Sequence, residues 1–153
     1  MQSVVKDNQV IQSLTSLIAL FPGRFFRVPD YQRGYAWESS QVKALLDDLE
    51  VLEASNSSGL HYTGTLVLVP GSDHSVNYPV FDIVDGQQRL TTLTMLMNVL
   101  VTVVEESTGL ASGESDLHQL YLGRGSRLKG FQPVLMLNGD IESFFRALLR
   151  GEA

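Results

Sequence analysis

The segment DIVDGQQRL, residues 82–90, sets a carboxylate, a glycine, two amides and a guanidinium side by side, where a β-branched apolar run gives way to a long helical pattern. Such a strand-to-helix junction offers the unpaired N–H groups of a helix start. A cation in that first turn opposes the helix dipole by roughly 0.3–1 kcal/mol unless a negative charge compensates it. Arg89 therefore implies a partner, either Asp85 four residues back or an anionic ligand. In the architectural reading Asp85 is the N-cap, Gln88 closes a capping box, and Asp85 with Arg89 forms an ion pair worth about 0.2–0.5 kcal/mol. In the functional reading the same N–H groups, with Gly86 allowing close approach, converge with Gln87, Gln88 and Arg89 on a phosphate. Neither GxxxxGK[ST] nor GxGxxG occurs, which excludes a Walker loop and a dinucleotide fingerprint.

A second constellation is VPDYQRGYAW, residues 28–37. If extended, it puts Tyr31, Arg33, Tyr35 and Trp37 on one side, an array suited to stacking a base and holding a phosphate. The alternative is a loop whose rings cover the core while Arg33 pairs with Asp30 or Glu38. Other candidates are sparser. His61, His74 and His118 lack metal-ligand spacing and read as surface histidines. Asp47-Asp48 and Asp82 are the carboxylates that could hold Mg²⁺ beside a nucleotide, although such groups are commonly just solvated. No G-x-S-x-G elbow for a hydrolase is present.

These residues need elements to position them. Ile11, Leu14, Leu17 and Ile18 recur at helical spacing and predict a first helix from Asn8 to Leu20, stopped by Pro22-Gly23. FFRV at 25–28 is a brief strand and PDYQRGYAW a loop. Glu38-Ser39-Ser40 opens an amphipathic helix with Val42, Leu45, Leu46, Leu49 and Leu52 on one face. YTGTLVLV at 62–69 and VFDIV at 80–84 predict two strands able to pair as a hairpin. From Gln87 to about Glu106 the pattern is apolar on several sides, which predicts a central helix packed all round. A short helical HQLYL, a strand in PVLMLN and a helix from Asp140 to Leu149 complete the chain, with the polar stretches ASNSSG, PGSDHSVN and GRGSRLKG as connectors. No internal repeat appears, so the pattern is an α/β or α+β unit.

At 153 residues and 44% hydrophobic content the chain is long and apolar enough for one folded domain with a real core. A net charge of −6 supplies no general basic field for nonspecific DNA or RNA binding. The absence of cysteine removes disulfides, thiolate nucleophiles and Cys-based zinc sites. The start lacks the pattern of a signal peptide and no uninterrupted apolar run approaches a span of roughly 18 residues, so a cytoplasmic setting without membrane contact is expected.

The order FRVPDYQRGYAW, a helix ending LLDDLE, YTGTLVLV, FDIVDGQQRLTTLTML and a closing VLMLNGDIESFF resembles the N-terminal domain of GmrSD-type restriction proteins over nearly the whole chain. The resemblance implies an α+β fold of ParB/sulfiredoxin-like type, a small mixed sheet with flanking helices. It implies an NTP-binding and often NTP-hydrolysing domain, using Mg²⁺, joined in the full-length protein to a C-terminal HNH-type nuclease that attacks modified phage DNA. By position, Asp85, Gly86, Gln87, Gln88 and Arg89 would form the nucleotide site, lined by Tyr31, Gln32 and Arg33; for the metal, Asp48 and Asp82 remain the candidates that side-chain chemistry alone offers. One departure is Gly34, where the family frequently has proline. Without a cysteine, sulfiredoxin-like chemistry is excluded, and without an H-N-H constellation these residues carry no nuclease half. The leading expectation is thus a regulatory NTPase domain, the N-terminal piece of a longer protein, with RGEA fitting either the edge of an excised domain or a natural terminus. A ParB-like nuclease using DGQQR directly and a non-catalytic nucleotide or modified-DNA sensor are the alternatives, and a homo-oligomer is left open. A single site further requires Arg33 to come within a side chain's reach of Gly86, with Tyr31 or Tyr35 flanking a pocket.

Overall fold

The computed structural model describes residues 2–6, 9–55, 61–71, 78–125 and 130–152. His74 and most of the three polar connectors lie outside them. The centre is a mixed sheet of six strands: β1 (Gln2–Lys6), β2 (Gln9–Ser13), β3 (Phe25–Arg27), β4 (Leu66–Pro70), β5 (Val80–Asp85) and β8 (Leu135–Met136), in the order β2-β1-β4-β5-β3-β8. β1/β2 and β4/β5 pair antiparallel, whereas β1/β4, β5/β3 and β3/β8 run parallel. A two-stranded ribbon, β6 (Gly123–Arg124) with β7 (Gln132–Pro133), stands apart. The predicted α+β class with a small mixed sheet and flanking helices is the observed one.

Side-chain alternation explains the strands. Phe26 faces Leu135 across β3/β8 and Leu68 faces Ile83 across β4/β5, all four with no exposed surface. Phe21, Leu122 and Leu149 join them to close the core, Phe21 meeting Phe26 and Tyr121 edge to face.

The helices are α1 (Leu17–Leu20), α2 (Ser39–Ala54), α3 (Gln87–Thr108), α4 (Asp116–Tyr121) and α5 (Glu142–Leu149), the last preceded by a 3₁₀ turn at Gly139–Ile141. α2 begins where expected, Glu38 and Gln41 forming a reciprocal capping box. Three expectations need correction. The first helix is a single turn, and the residues before it form the β1/β2 hairpin, in register from Gln2 opposite Ser13 to Lys6 opposite Gln9. QSVVK and QVIQS flank Asp-Asn, and β1 gains a second partner in β4, while Leu14 and Ile18 lie beyond the hairpin and are exposed. The strand expected from Tyr62 starts only at Leu66, since Gly64 takes φ +115°. α3 is enveloped only at its start: Gln88 and residues 90–94 are buried, while Val99, Leu100 and Val103 are 57%, 51% and 56% exposed. By length and composition alone this helix would reach across a membrane, but its first two turns are enclosed by protein, as in a core helix.

Glu105 and His118 tie the far end of α3 to the C-terminal helix. Buried Glu105 accepts from the N–H groups of Gly113 and Ser115 and from the Ser115 hydroxyl. Burial pushes its pKa up, but those hydrogen bonds and nearby His118 outweigh it and hold the carboxyl below its usual value. His118 is a buried histidine and not a surface one; its Nε2 lies 2.7 Å from the Leu149 carbonyl, to which it donates.

Candidate functional site

β5 ends at Asp85 and α3 starts at Gln87, with Gly86 between them as the N-cap in the left-handed region, φ +93°. Asp85 does not cap the helix; its Oδ1 accepts from Gly86 N at 2.9 Å. Gln88 does not close a capping box, because its side chain turns away to the loop. Nor does Asp85 pair with Arg89, which makes no hydrogen bond or ion pair among the described residues. The close approach that Gly86 permits is to protein: an added Cβ would meet the Thr65 carbonyl at 2.8 Å.

The loop at 28–37 is brought onto this junction, through residues other than the aligned aromatics. A turn at its start, Gln32 N to Pro29 O at 3.0 Å, breaks the extended alternation and rotates Gln32 inward. Gln32 Nε2 donates to Val84 O at 3.1 Å, and Gln87 Nε2 donates to Gln32 Oε1 at 3.3 Å. Gln88, 7% exposed, receives Ala36 N at 2.6 Å and Trp37 N at 3.2 Å on Oε1 and donates Nε2 to Gly34 O at 2.9 Å. Tyr35 meets the Thr92 hydroxyl at 2.9 Å, and Asn138 Nδ2 donates to the carbonyls of Pro29 and Gln32. Tyr31 is 75% exposed, and Arg33 is exposed without a hydrogen bond or ion pair among the described residues.

Behind the junction a cavity of about 670 Å³ lies between α1, α2, α3 and the segment 61–65. Its walls are largely leucine, with Met97, and it opens past Leu14 and Ile18. Arg89 lines it, at one end of the α3 stripe Arg89, Leu93, Met97. The guanidinium lies against Gly64, where an added Cβ would stand 2.5 Å from Cζ. Gly86, His61 and Thr63 also border the space, whereas Tyr31, Gln32, Arg33, Gln87 and Gln88 do not. The loop that carries Arg33 docks on the junction, but Arg33 and Arg89 do not line one cavity.

The metal candidates separate differently. Asp82 is 2.8 Å from Arg27 Nε, its charge already matched, and Asp48 on α2 is 3.8 Å from His61. Among the described residues no three of His, Asp and Glu group as a metal-binding set, so Asp48 and Asp82 do not fit a protein-built cation cage. Sequence reasoning missed Gly64, Thr92 and Asn138. A glycine inside an apolar strand pattern is a sign of close approach, so Gly64 carried a signal; Asn138 carried none.

Comparison with curated proteins gives no match. The family model described as GmrSD restriction endonuclease, N-terminal domain, matches residues 11–147. That span includes the loop, the DGQQR junction and the cavity, and the chain belongs to this family of restriction-system domains.

Proposed function

We propose that this domain binds a nucleoside triphosphate at the start of α3 and hydrolyses it, regulating a restriction system aimed at phage DNA. The observation that carries the reading is Arg89, a cation in the first turn of a 22-residue helix with no carboxylate partner among the described residues. The N–H groups of the first turn and this guanidinium together form a phosphate-binding donor set. Gln87, whose Oε1 is not engaged by described groups, is placed to orient a water. Gln88 positions the loop, and through it exposed Arg33 and Tyr31, which would meet the outer phosphates and the ligand's edge. Asp85 keeps the junction's turn in shape. Asp48 and Asp82 do not supply a metal cage, so any Mg²⁺ would arrive with the triphosphate's own oxygens. In a full-length protein the nucleotide state would govern a C-terminal HNH-type nuclease acting on modified DNA.

The test is calorimetry with non-hydrolysable NTP analogues, with and without Mg²⁺, on the wild type and Arg89→Ala, alongside phosphate release. Loss of binding by a variant with wild-type circular dichroism supports the reading. Unchanged affinity refutes it. Plasmid nicking without NTP would favour direct nuclease action, and binding without phosphate release a sensor.

A further inference from the structure

Resting on that reading of Arg89, we propose that the apolar cavity is the chamber for the nucleobase, with Arg89 at the boundary where the phosphates begin. A triphosphate cannot be desolvated against leucine walls without large cost. The cavity therefore suits the part of a ligand that has apolar faces, with its anionic part at Arg89, the one arginine or lysine on the wall among the described residues. Arg89, Leu93 and Met97 recur at four-residue spacing on α3 and so form one continuous stripe, charged at its start and apolar beyond. Leu49 and Leu52 on α2 face this space as well. About 670 Å³ is within the range of small-ligand sites, roughly 300–1,000 Å³. A base also needs partners at its edge. His61 and Thr63 border the cavity and make no hydrogen bond among the described residues, His61 lying 3.8 Å from Asp48. Gly64 completes the arrangement, since a Cβ there would collide with the guanidinium.

The experiment titrates the whole chain by calorimetry with ATP, GTP, CTP and UTP analogues, with inorganic tripolyphosphate, and with a short single-stranded oligonucleotide. Leu49→Trp and Leu52→Phe fill the chamber and leave Arg89 in place. The wild type is expected to bind at least one NTP about tenfold or more tighter than tripolyphosphate. The filled variants should lose that preference and keep tripolyphosphate binding. Equal affinity for tripolyphosphate and every NTP overturns the base chamber while leaving phosphate binding at Arg89 standing. Undiminished NTP preference in folded filled variants also overturns it. If the variants do not fold, the wild-type comparison decides alone. Binding of neither NTP nor tripolyphosphate removes the nucleotide reading and this inference with it, and displacement of NTP-independent oligonucleotide binding by the filled variants would assign the chamber to a DNA base instead.

Discussion

Replacing Gln88 by methionine keeps the length of the side chain and removes both of its polar atoms. Three hydrogen bonds disappear, from Ala36 N, from Trp37 N and to Gly34 O. Each such bond contributes about 0.5–1.5 kcal/mol net. The contact to Trp37 N is the longest at 3.2 Å, and Gly34 and Ala36 are exposed, so water can satisfy part of what is lost. The sum is therefore about 2–3 kcal/mol and not the full penalty of three buried orphans. In a domain of this size that lowers Tm by roughly 4–12 °C. Urea unfolding measures the total, and amide exchange at residues 36 and 37 locates it. Trp37 is the chain's single tryptophan, so its emission reports the loop directly. Wild-type stability in Gln88→Met with unshifted Trp37 emission would show that the amide does not hold the loop. Loss of NTP hydrolysis without any loss of stability or loop protection would give Gln88 a direct part in the chemistry in place of positioning.

Gly64→Ala places a Cβ against Arg89 at a backbone angle of φ +115°, costing about 1–2 kcal/mol of strain and displacing the guanidinium. The part of that destabilisation that comes from displacing Arg89 should vanish in an Arg89→Ala background, a coupling in unfolding free energy read from a double-mutant cycle. Glu105→Gln turns one acceptor into a donor facing the N–H groups of Gly113 and Ser115, and should destabilise the domain near neutral pH. Because the folded pKa of Glu105 is held below its ordinary 4.5, its contribution is complete above that pH and is lost as pH falls through the folded value. The stability gap between wild type and variant should close on acidification, as followed by denaturant melts at stepped pH. Arg124→Lys loses donors to the carbonyls of Arg24 and Phe21 and a guanidinium stacked on Phe25 and Tyr78, and should lower thermal stability by about 1–3 kcal/mol.

What was legible in the sequence is what depends on local pattern. The start of α2 at Glu38-Ser39, the short FFR strand, the pairing of β4 with β5 and the strand-to-helix break at Gly86 all follow from near neighbours. The spacing of Ile11, Leu14, Leu17 and Ile18 fits a period of 3.6 and predicts helix where residues 9–13 form β2, while the competing term, parallel pairing of its partner β1 with β4, spans more than fifty residues. Partners at that range leave no periodic trace. The site shows the same division. Placing the DGQQR turn at a junction followed from the sequence, but the partner of each residue did not: Gln88 finds backbone atoms of residues 34–37, and Gly86 finds Thr65 O. The expected alternation at Tyr31, Arg33 and Tyr35 failed because Pro29 starts a turn that rotates Gln32 inward.

The five letters acquire separate tasks from helical geometry. Successive residues of a helix point about 100° apart, so Gln87, Gln88 and Arg89 leave the first turn in different directions. Gln87 reaches Gln32, Gln88 faces the loop backbone, and Arg89 faces the cavity. Each direction continues four residues on. Thr92 follows Gln88 and takes Tyr35, while Leu93 and Met97 follow Arg89 along the cavity wall. Shifting the helix by one residue would, depending on its direction, either turn Arg89 onto the loop or aim Gln88 at the leucines. The spacing within GQQR, and not only its composition, is thus what allows one helix turn to hold a loop on one side and present the Arg89 guanidinium to an apolar chamber on the other.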